Sequence, residues 1–337
     1  MNAPVAEPLL AARNLRKYFP VKAQQIGGPR LMVQAVDDVS FSILEGETLG
    51  IVGESGCGKS TTGRLLMHLI TPDAGDVRFG CKGLGDGSLS VRDLRRQMQM
   101  VFQDSYASLN PRLTVVDSIA FGPRAHGAPR EKARAKAREL LRLVKLDPDQ
   151  FGPRYPHQLS GGQRQRVNFA RALALEPKLV ILDEAVSALD KSIEAQVLNL
   201  LMDLKKDLAL TYLFISHDLN VVQYISDHVL VMYLGKVVEY GPVEEIYHRP
   251  RHPYTQALLA SRPSMDPDVK IEKSPIAGDP PNPINPPSGC RFRTRCTFAE
   301  SACEKTEPRL TKLDSARGHA VACHMHIPGS GHGKCAA

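Results

Sequence analysis

Eight consecutive residues, Gly53-Glu54-Ser55-Gly56-Cys57-Gly58-Lys59-Ser60, follow the apolar run Leu49 to Val52. Their types and order suit one task. A strand stops, the chain wraps its backbone N–H groups around a phosphate, and a helix begins with its positive dipole end toward the anion. Gly53, Gly56 and Gly58 permit the backbone path, and Glu54, Ser55 and Cys57 complete the loop. Lys59 is placed to reach the β- and γ-phosphates and Ser60 to join a Mg²⁺ shell, while Thr61 and Thr62 continue the first helical turn. At average glycine usage such a pattern arises by chance roughly once in tens of thousands of positions. The expected ligand is a nucleotide polyphosphate with Mg²⁺.

A phosphate loop alone does not choose among kinases, GTPases, helicases and transporters. The run Leu179 to Leu182 is of buried-strand type and ends in Asp183-Glu184, which puts two carboxylates at the carboxyl edge of a parallel sheet, where ligands bind. Asp183 is expected to hold Mg²⁺ and Glu184 to polarise the water that attacks the γ-phosphate. Leu213-Phe-Ile-Ser216 ends in His217, a candidate for contact with the γ-phosphate. Gln103, after Met100-Val-Phe102, is a candidate for the metal and the water. A strand-end His or a lone Gln is more often structural, and only order and position raise these two. Further on, Leu159-Ser160-Gly161-Gly162-Gln163 supplies a hydroxyl and a close backbone approach at the start of a helix.

Together with Ser187-Ala-Leu-Asp190, these segments resemble the complete motif set of ABC ATPases, including Walker A, over roughly residues 8–250. The resemblance implies an α/β P-loop NTPase fold with a RecA-like core, an antiparallel β-subdomain and a helical signature subdomain at about 105–160. It implies that two nucleotide domains meet head to tail, so that Ser160, Gly161, Gly162 and Gln163 serve ATP bound mainly by a partner. Asp190 would then sit at the dimer seam. An aromatic near the N-terminus should stack on adenine; register favours Phe19, with Tyr18 second. Ala185 stands where the family usually has Pro, a change expected to loosen the loop slightly and leave Asp183 and Glu184 intact.

Stepping along the chain, Val36 to Leu44 reads as an early strand, residues 20–34 as a Gly-containing insertion, and Ser105 to Ser160 as helical and Arg-rich, with βα alternation resuming to about Val238. The 337 residues exceed a typical single domain, and 42% apolar content is enough for a packed core. No apolar run approaches a membrane span, and the N-terminus lacks a signal-type stretch. A net charge of +7 could suggest nucleic acid, but the basic residues alternate with acidic ones, as in Arg130-Glu-Lys-Ala-Arg, which reads as a solvated helix face. Tyr106 to Val115 is the expected contact with a membrane subunit, with ordinary loop structure as the alternative.

Beyond Pro250 the composition changes. Residues 251–288, rich in Pro, read as an extended linker. Residues 289–327 read as a small Cys-rich C-terminal domain in which Cys290, Cys296, Cys303 and Cys323 are separated by five, six and nineteen residues. Clustered cysteines in a cytosolic chain argue for a metal or cluster over disulfides. Zinc, completed by His319, His324 or His326, an iron–sulfur cluster and simple reduced core cysteines all remain open on the spacing. The segments Arg249 to Leu258, Asn285-Pro-Pro287 and Gly289 to Cys296 resemble the C-terminal extension of oligopeptide and dipeptide importer ATPases. Met232-Tyr-Leu-Gly235 and Arg251-His-Pro-Tyr254 look most like the second ATPase of the dipeptide permease. That resemblance implies a [4Fe-4S] cluster on the four cysteines.

The function so implied is the ATP-hydrolysing motor of a peptide importer. Its partners would be a second ABC ATPase, by family habit a paralogue, two transmembrane permease subunits and, indirectly, a periplasmic or extracellular peptide-binding protein. No nucleic-acid partner is expected, and the place implied is the cytoplasmic side of the inner membrane. The competing readings are a soluble ABC ATPase acting on nucleic acid or ribosomes, and an importer of another solute.

Overall fold

The computed structural model describes residues 7–21, 31–262, 278–314 and 318–335. They belong to two compact units that alternate along the chain. One comprises Met1–Leu9, Ile43–Thr48 and Phe79–Ser216; the other comprises Leu10–Ser42, Leu49–Arg78 and His217–Ala337.

In the first unit, strands Met98–Val101, Leu179–Asp183 and Thr211–Ile215 run parallel, with Met98 opposite Leu179 and Asp183 opposite Ile215. Their near-continuous Leu, Val, Ile and Met content is what a sheet covered on both faces requires. Every residue of Leu179–Asp183 and Thr211–Ile215 is buried. The helix Arg130–Leu143 buries Ala133, Ala137, Leu140 and Leu141, a single stripe at helical spacing, and leaves its charged residues outward. It packs on Val115–Ala125 and on Gly161–Leu173. The helical stretch expected from Ser105 starts only at Val115. Before it, Asp104 accepts from the N–H groups of Tyr106 and Ala107 at 2.9 Å, and that side-chain turn competes with a helix.

In the second unit, strand Thr48–Val52 runs parallel to His228–Tyr233, with Val52 opposite Val231. His228–Tyr233 then turns through Leu234 and Gly235, at φ 43° and 79°, into antiparallel Lys236–Pro242. Such left-handed pairs match the twist of a two-residue hairpin. A separate sheet orders Met32–Ile43 beside Leu10–Pro20 beside Ala74–Phe79. Strand residues Pro20 and Met32 to Gln34 therefore take in both ends of the expected 20–34 insertion. Residues 22–30 lie outside the described residues.

Two expectations for the C-terminal region require correction. The segment 251–288 is not extended throughout, because it opens with helix Pro253–Ala260. His252 caps this helix by accepting the Tyr254 N–H at 3.0 Å, and Pro253 fits the first helical position, where no N–H is needed. Residues 263–277 lie outside the described residues. Nor is 289–327 an appendage: strand His319–Val321 pairs antiparallel with Lys236–Pro242, Val321 opposite Glu239, and Thr311–Asp314 pairs with it in turn. The cysteine-bearing segment thus extends the same sheet that carries Thr48–Val52.

Glu239 explains why this edge holds. It is fully buried, and its carboxylate accepts from the N–H groups of Arg251 at 2.7 Å and His252 at 3.0 Å and meets His319 Nε2 at 2.8 Å. Beside it, Tyr254, Tyr233 and Phe292 form an aromatic cluster with ring centroids 4.6 to 5.4 Å apart. Each such pair contributes roughly 0.5–1.5 kcal/mol beyond the area it buries.

The buried His252 makes this arrangement sensitive to acid. Burial pushes its imidazole down to about 4, with Glu239 opposing the shift and His326 adding to it. The neutral ring's contribution, on the order of 3 kcal/mol, is complete above about pH 6.5 and is lost as pH falls toward about 4, because the unfolded chain takes up the proton first. The thermal unfolding midpoint should therefore drop more steeply over that range in the wild-type chain than in His252→Asn, which keeps a capping oxygen. Parallel pH profiles for the two would refute this origin.

Candidate nucleotide site

The loop after Val52 follows the path its sequence requires. Gly53, Gly56 and Gly58 have φ of 149°, 78° and 106°. Two of the three also lack room for a side chain: a Cβ on Gly53 would collide with the Met232 carbonyl, and one on Gly58 with that of Ala35. Lys59 opens the helix Lys59–Leu66, and its ammonium donates to Gly53 O at 2.7 Å and Glu54 O at 3.0 Å. Thr62 Oγ1 donates to Gly58 O at 3.0 Å and closes the first turn. Burial pushes the Cys57 thiol up and leaves it a packing group. Ser60 and Thr61 are half-buried in the same turn.

In the first unit the structure brings two predicted residues together. Glu184 directly follows strand Leu179–Asp183, and its Oε2 accepts from Gln103 Nε2 at 2.9 Å. Glu184 sits at φ 48°, in the left-handed region, where its N–H donates to Ile215 O at 2.9 Å. A non-glycine residue held there is a strained position of the kind that clusters at functional sites. Asp183 is buried, 3% exposed. Ala185, which stands where the resemblance leads one to expect Pro, is buried.

Ser160 caps helix Gly161–Leu173. Its hydroxyl accepts the Gln163 N–H at 3.3 Å, and the Gln163 side chain accepts the Ser160 N–H at 2.9 Å. The helix start expected at these residues is therefore present, and Ser160 and Gln163 build it as a capping box. Gly162 is pressed against Ile193, where a Cβ would meet its methyl at 2.6 Å. Asp190 stands at the N-cap of Lys191–Leu208, yet its exposed side chain makes no capping bond. In the second unit, His217 is exposed next to Asp218, which caps helix Leu219–Ile225 through the N–H groups of Asn220 and Val221 at 2.9 and 3.3 Å.

The two aromatic candidates separate cleanly. Tyr18 OH donates to Asp37 at 2.7 Å, which occupies its polar end. Phe19 is half-buried on strand Leu10–Pro20, with the Lys17 ammonium 5.7 Å from its ring centre.

Of the four cysteines, Cys290 and Cys303 are joined through the backbone. Cys290 N–H donates to Cys303 O at 2.7 Å. Burial, with Cys303, Cys323 and Cys296 nearby, pushes the Cys290 thiol up to about 12, and burial with Cys296 and Cys303 nearby pushes Cys323 up to about 11. All seven cysteines are free thiols. The histidines offered as zinc ligands are engaged elsewhere: His319 with Glu239, His324 Nε2 with Thr306 O at 2.8 Å, and His326 Nε2 with Arg251 O at 3.3 Å. Among the described residues, no three Cys, His, Asp or Glu side chains are arranged to hold a single metal ion.

Sequence reasoning missed two contacts to the phosphate loop. Tyr254 OH accepts the Glu54 N–H at 2.8 Å, and Arg295 pairs with the Glu54 carboxylate at 2.9 Å. Tyr254 and Arg295 were visible only as marks of the C-terminal segment, and contacts 200 and 241 residues apart leave no local signal.

Residues 36–187 match the ABC transporter family, and residues 238–303 match the C-terminal region of oligopeptide and dipeptide transporters. The oligopeptide transport ATP-binding protein AppF of Bacillus subtilis is 49% identical over 333 residues, covering 97% of this chain and 100% of that one. The chain belongs to the ATP-binding subunits of ABC peptide importers. Among solved structures, the ABC ATPase fold recurs in CbiO1 of Clostridium perfringens, described as part of the ABC transporter complex CbiONQ. It matches with a TM-score of 0.60 at 27% identity, over 72% of this chain and 92% of that one. As a member of this family the chain is an ATPase, and among its described residues no helix is long and apolar enough to cross a membrane.

For this ABC ATPase the geometry separates binding from turnover. Lys59→Ala should weaken equilibrium ATP binding by more than roughly tenfold, because it removes a cation from the phosphate loop. Gln103→Ala should leave binding within about threefold and lower the hydrolysis rate, because it frees the Glu184 carboxylate. Unchanged ATP affinity in Lys59→Ala would contradict the loop's role.

Proposed function

We propose that this chain is one of two ATPases, paired head to tail with a paralogue, that drive two transmembrane permease subunits from the cytoplasmic side of the inner membrane. The observation that carries the reading is the Gln103–Glu184 hydrogen bond of 2.9 Å directly after the buried Asp183. A carboxylate that accepts from an amide and whose backbone N–H is tied to Ile215 O can orient a water molecule for attack. Gly53 to Thr61 hold the phosphates, and Phe19 stacks on the adenine. Mg²⁺, held by Ser60, Gln103 and Asp183, would offset the charge that builds on the phosphates. Glu184 takes the proton of the attacking water, and His217 meets the γ-phosphate.

Ser160, Gly161, Gly162 and Gln163 are the surface offered to the partner's ATP. The exposed Ser160 can donate its O–H outward while it accepts from its own helix. Asp190, free of any capping duty, is suited to the seam between the ATPases. The peptide itself is selected by the membrane subunits and an external binding protein, and never touches this chain. The turns at Tyr106 to Val115 are the proposed contact with a permease. The likeness to the second ATPase of the dipeptide permease favours di- or oligopeptides as cargo.

The resemblance to the peptide-importer extension favours a polynuclear cluster over a single zinc ion on these cysteines. Cys303 and Cys323 are buried and Cys290 and Cys296 half-buried, and four cysteine thiols are the donor set of a [4Fe-4S] cluster on Cys290, Cys296, Cys303 and Cys323. When bound, such a cluster would tie these segments together as a structural link. The four cysteines would bind it as thiolates, their protons released to solvent.

Glu184→Gln should bind ATP with wild-type affinity, lose hydrolysis by roughly 10²- to 10⁴-fold, and accumulate as an ATP-locked ATPase pair on size exclusion. Isolation of the tagged chain from detergent-solubilised membranes should recover two multi-span subunits and a second ATPase, with about four irons and four sulfides per chain. Undiminished turnover in Glu184→Gln would remove its catalytic role. Recovery with ribosomes or nucleic acid alone would remove the importer reading.

A further inference from the structure

Glu54 is chemically out of place. It is the second residue of a loop built to hold a polyphosphate, and it is itself an anion. Left alone, its carboxylate would repel the ligand.

The C-terminal extension answers this. Arg295 Nη1 donates to both Glu54 carboxylate oxygens, at 3.1 and 2.9 Å, and Nη2 donates to one of them at 3.1 Å. The Arg295 side chain is 7% exposed and that of Glu54 24%, so the pair is poorly screened by solvent. Nη1 also reaches Tyr233 OH at 3.4 Å, and the Arg295 guanidinium lies 6.0 Å from that ring's centre. The Glu54 N–H is held separately by Tyr254 OH at 2.8 Å. The backbone and the side chain of this one loop residue are therefore both fixed from the same region of the chain.

The placement of the arginine adds meaning. Arg295 immediately precedes Cys296, and Arg291 immediately follows Cys290. Arg291 is buried against Asp37 and donates to Leu234 O; Lys236 meets the same carboxylate at 2.9 Å. Burial works against the Asp37 charge, but the bonds from Lys236 and Tyr18 and the nearby Arg291 hold its carboxyl below the usual range. Asp37 is also the acceptor for Tyr18, the neighbour of Phe19. One short segment between two cysteines thus carries one cation to the phosphate loop and another to Asp37 on strand Met32–Ile43, the acceptor for Tyr18.

We propose that Arg295 is a positioning residue for ATP: it neutralises Glu54 and holds that carboxylate away from the phosphates, so the segment between Cys290 and Cys296 sets nucleotide affinity. The inference rests on the reading of Gly53 to Ser60 as the ATP phosphate loop. It goes beyond that reading by making the extension part of nucleotide binding. Any chemistry that displaces Cys290 or Cys296 reaches ATP through this arginine.

The test is competition of ATP against trinitrophenyl-ATP on the full chain, with thermal unfolding and iron content measured on each sample. Arg295→Met should raise the ATP dissociation constant by roughly tenfold and leave the maximal hydrolysis rate within about twofold. Arg295→Lys should recover part of the loss. The double variant Arg295→Met/Glu54→Gln should return to within about threefold of wild type, because neither charge remains; a packing defect alone would not be relieved this way. Unaltered affinity in Arg295→Met, or a loss that Glu54→Gln does not relieve, would overturn the proposal. Failure of ATP to displace the probe from the wild-type chain would instead remove the ATP reading on which it rests.

Discussion

A loop can present its backbone N–H groups to a polyphosphate only if its carbonyls turn elsewhere, and that constraint shapes the unit around it. Gly53 and Gly58 hold left-handed conformations with the Met232 and Ala35 carbonyls pressed against them. Strand His228–Tyr233 and strand Met32–Ile43 must therefore lie where they do, or the loop cannot close. The parallel pairing of Val52 with Val231 fixes one of them. The Arg291 and Lys236 contacts to Asp37 fix the other. What sequence order leaves as a distant tail is, in space, a wall of the phosphate loop.

The charged groups of this wall are arranged to spare the fold an uncompensated charge. Removing one partner of a buried ion pair commonly costs 3–5 kcal/mol, while the intact pair adds little net stability. Glu239 is fully buried with three partners, and Asp37 with four cationic or hydroxyl partners. Such networks do more to define one arrangement than to deepen it. That suits a segment whose task is to hold a loop in register.

Much of the site was legible because its chemistry dictates its spelling. The phosphate loop needs glycines at fixed positions, and Asp183-Glu184 needs an apolar strand before it; both are local patterns, and both appear where expected. Gln103 and Glu184 were named separately, and the structure joins them. Reading failed where the answer is not local. Helix Pro253–Ala260 was hidden in a Pro-rich stretch, because Pro253 at the first helical position looks in sequence like a helix breaker. The strand His319–Val321 is only three residues long, and its partner lies some 80 residues away. Its role depends on Glu239, and nothing in either sequence marks that pairing. The histidines near the cysteines looked like ligands by proximity alone, and each proved to serve an oxygen partner.

The central claim is that ATP hydrolysis by this chain drives peptide movement across a membrane. The most direct measurement is uptake of a labelled dipeptide into vesicles that contain the co-purified permease subunits, the paired ATPase and this chain, with ATP supplied on the face where the ATPases sit. The account predicts uptake that requires hydrolysable ATP and accompanies accelerated phosphate release. Peptide accumulation that is equal with ATP and with a non-hydrolysable analogue would contradict it.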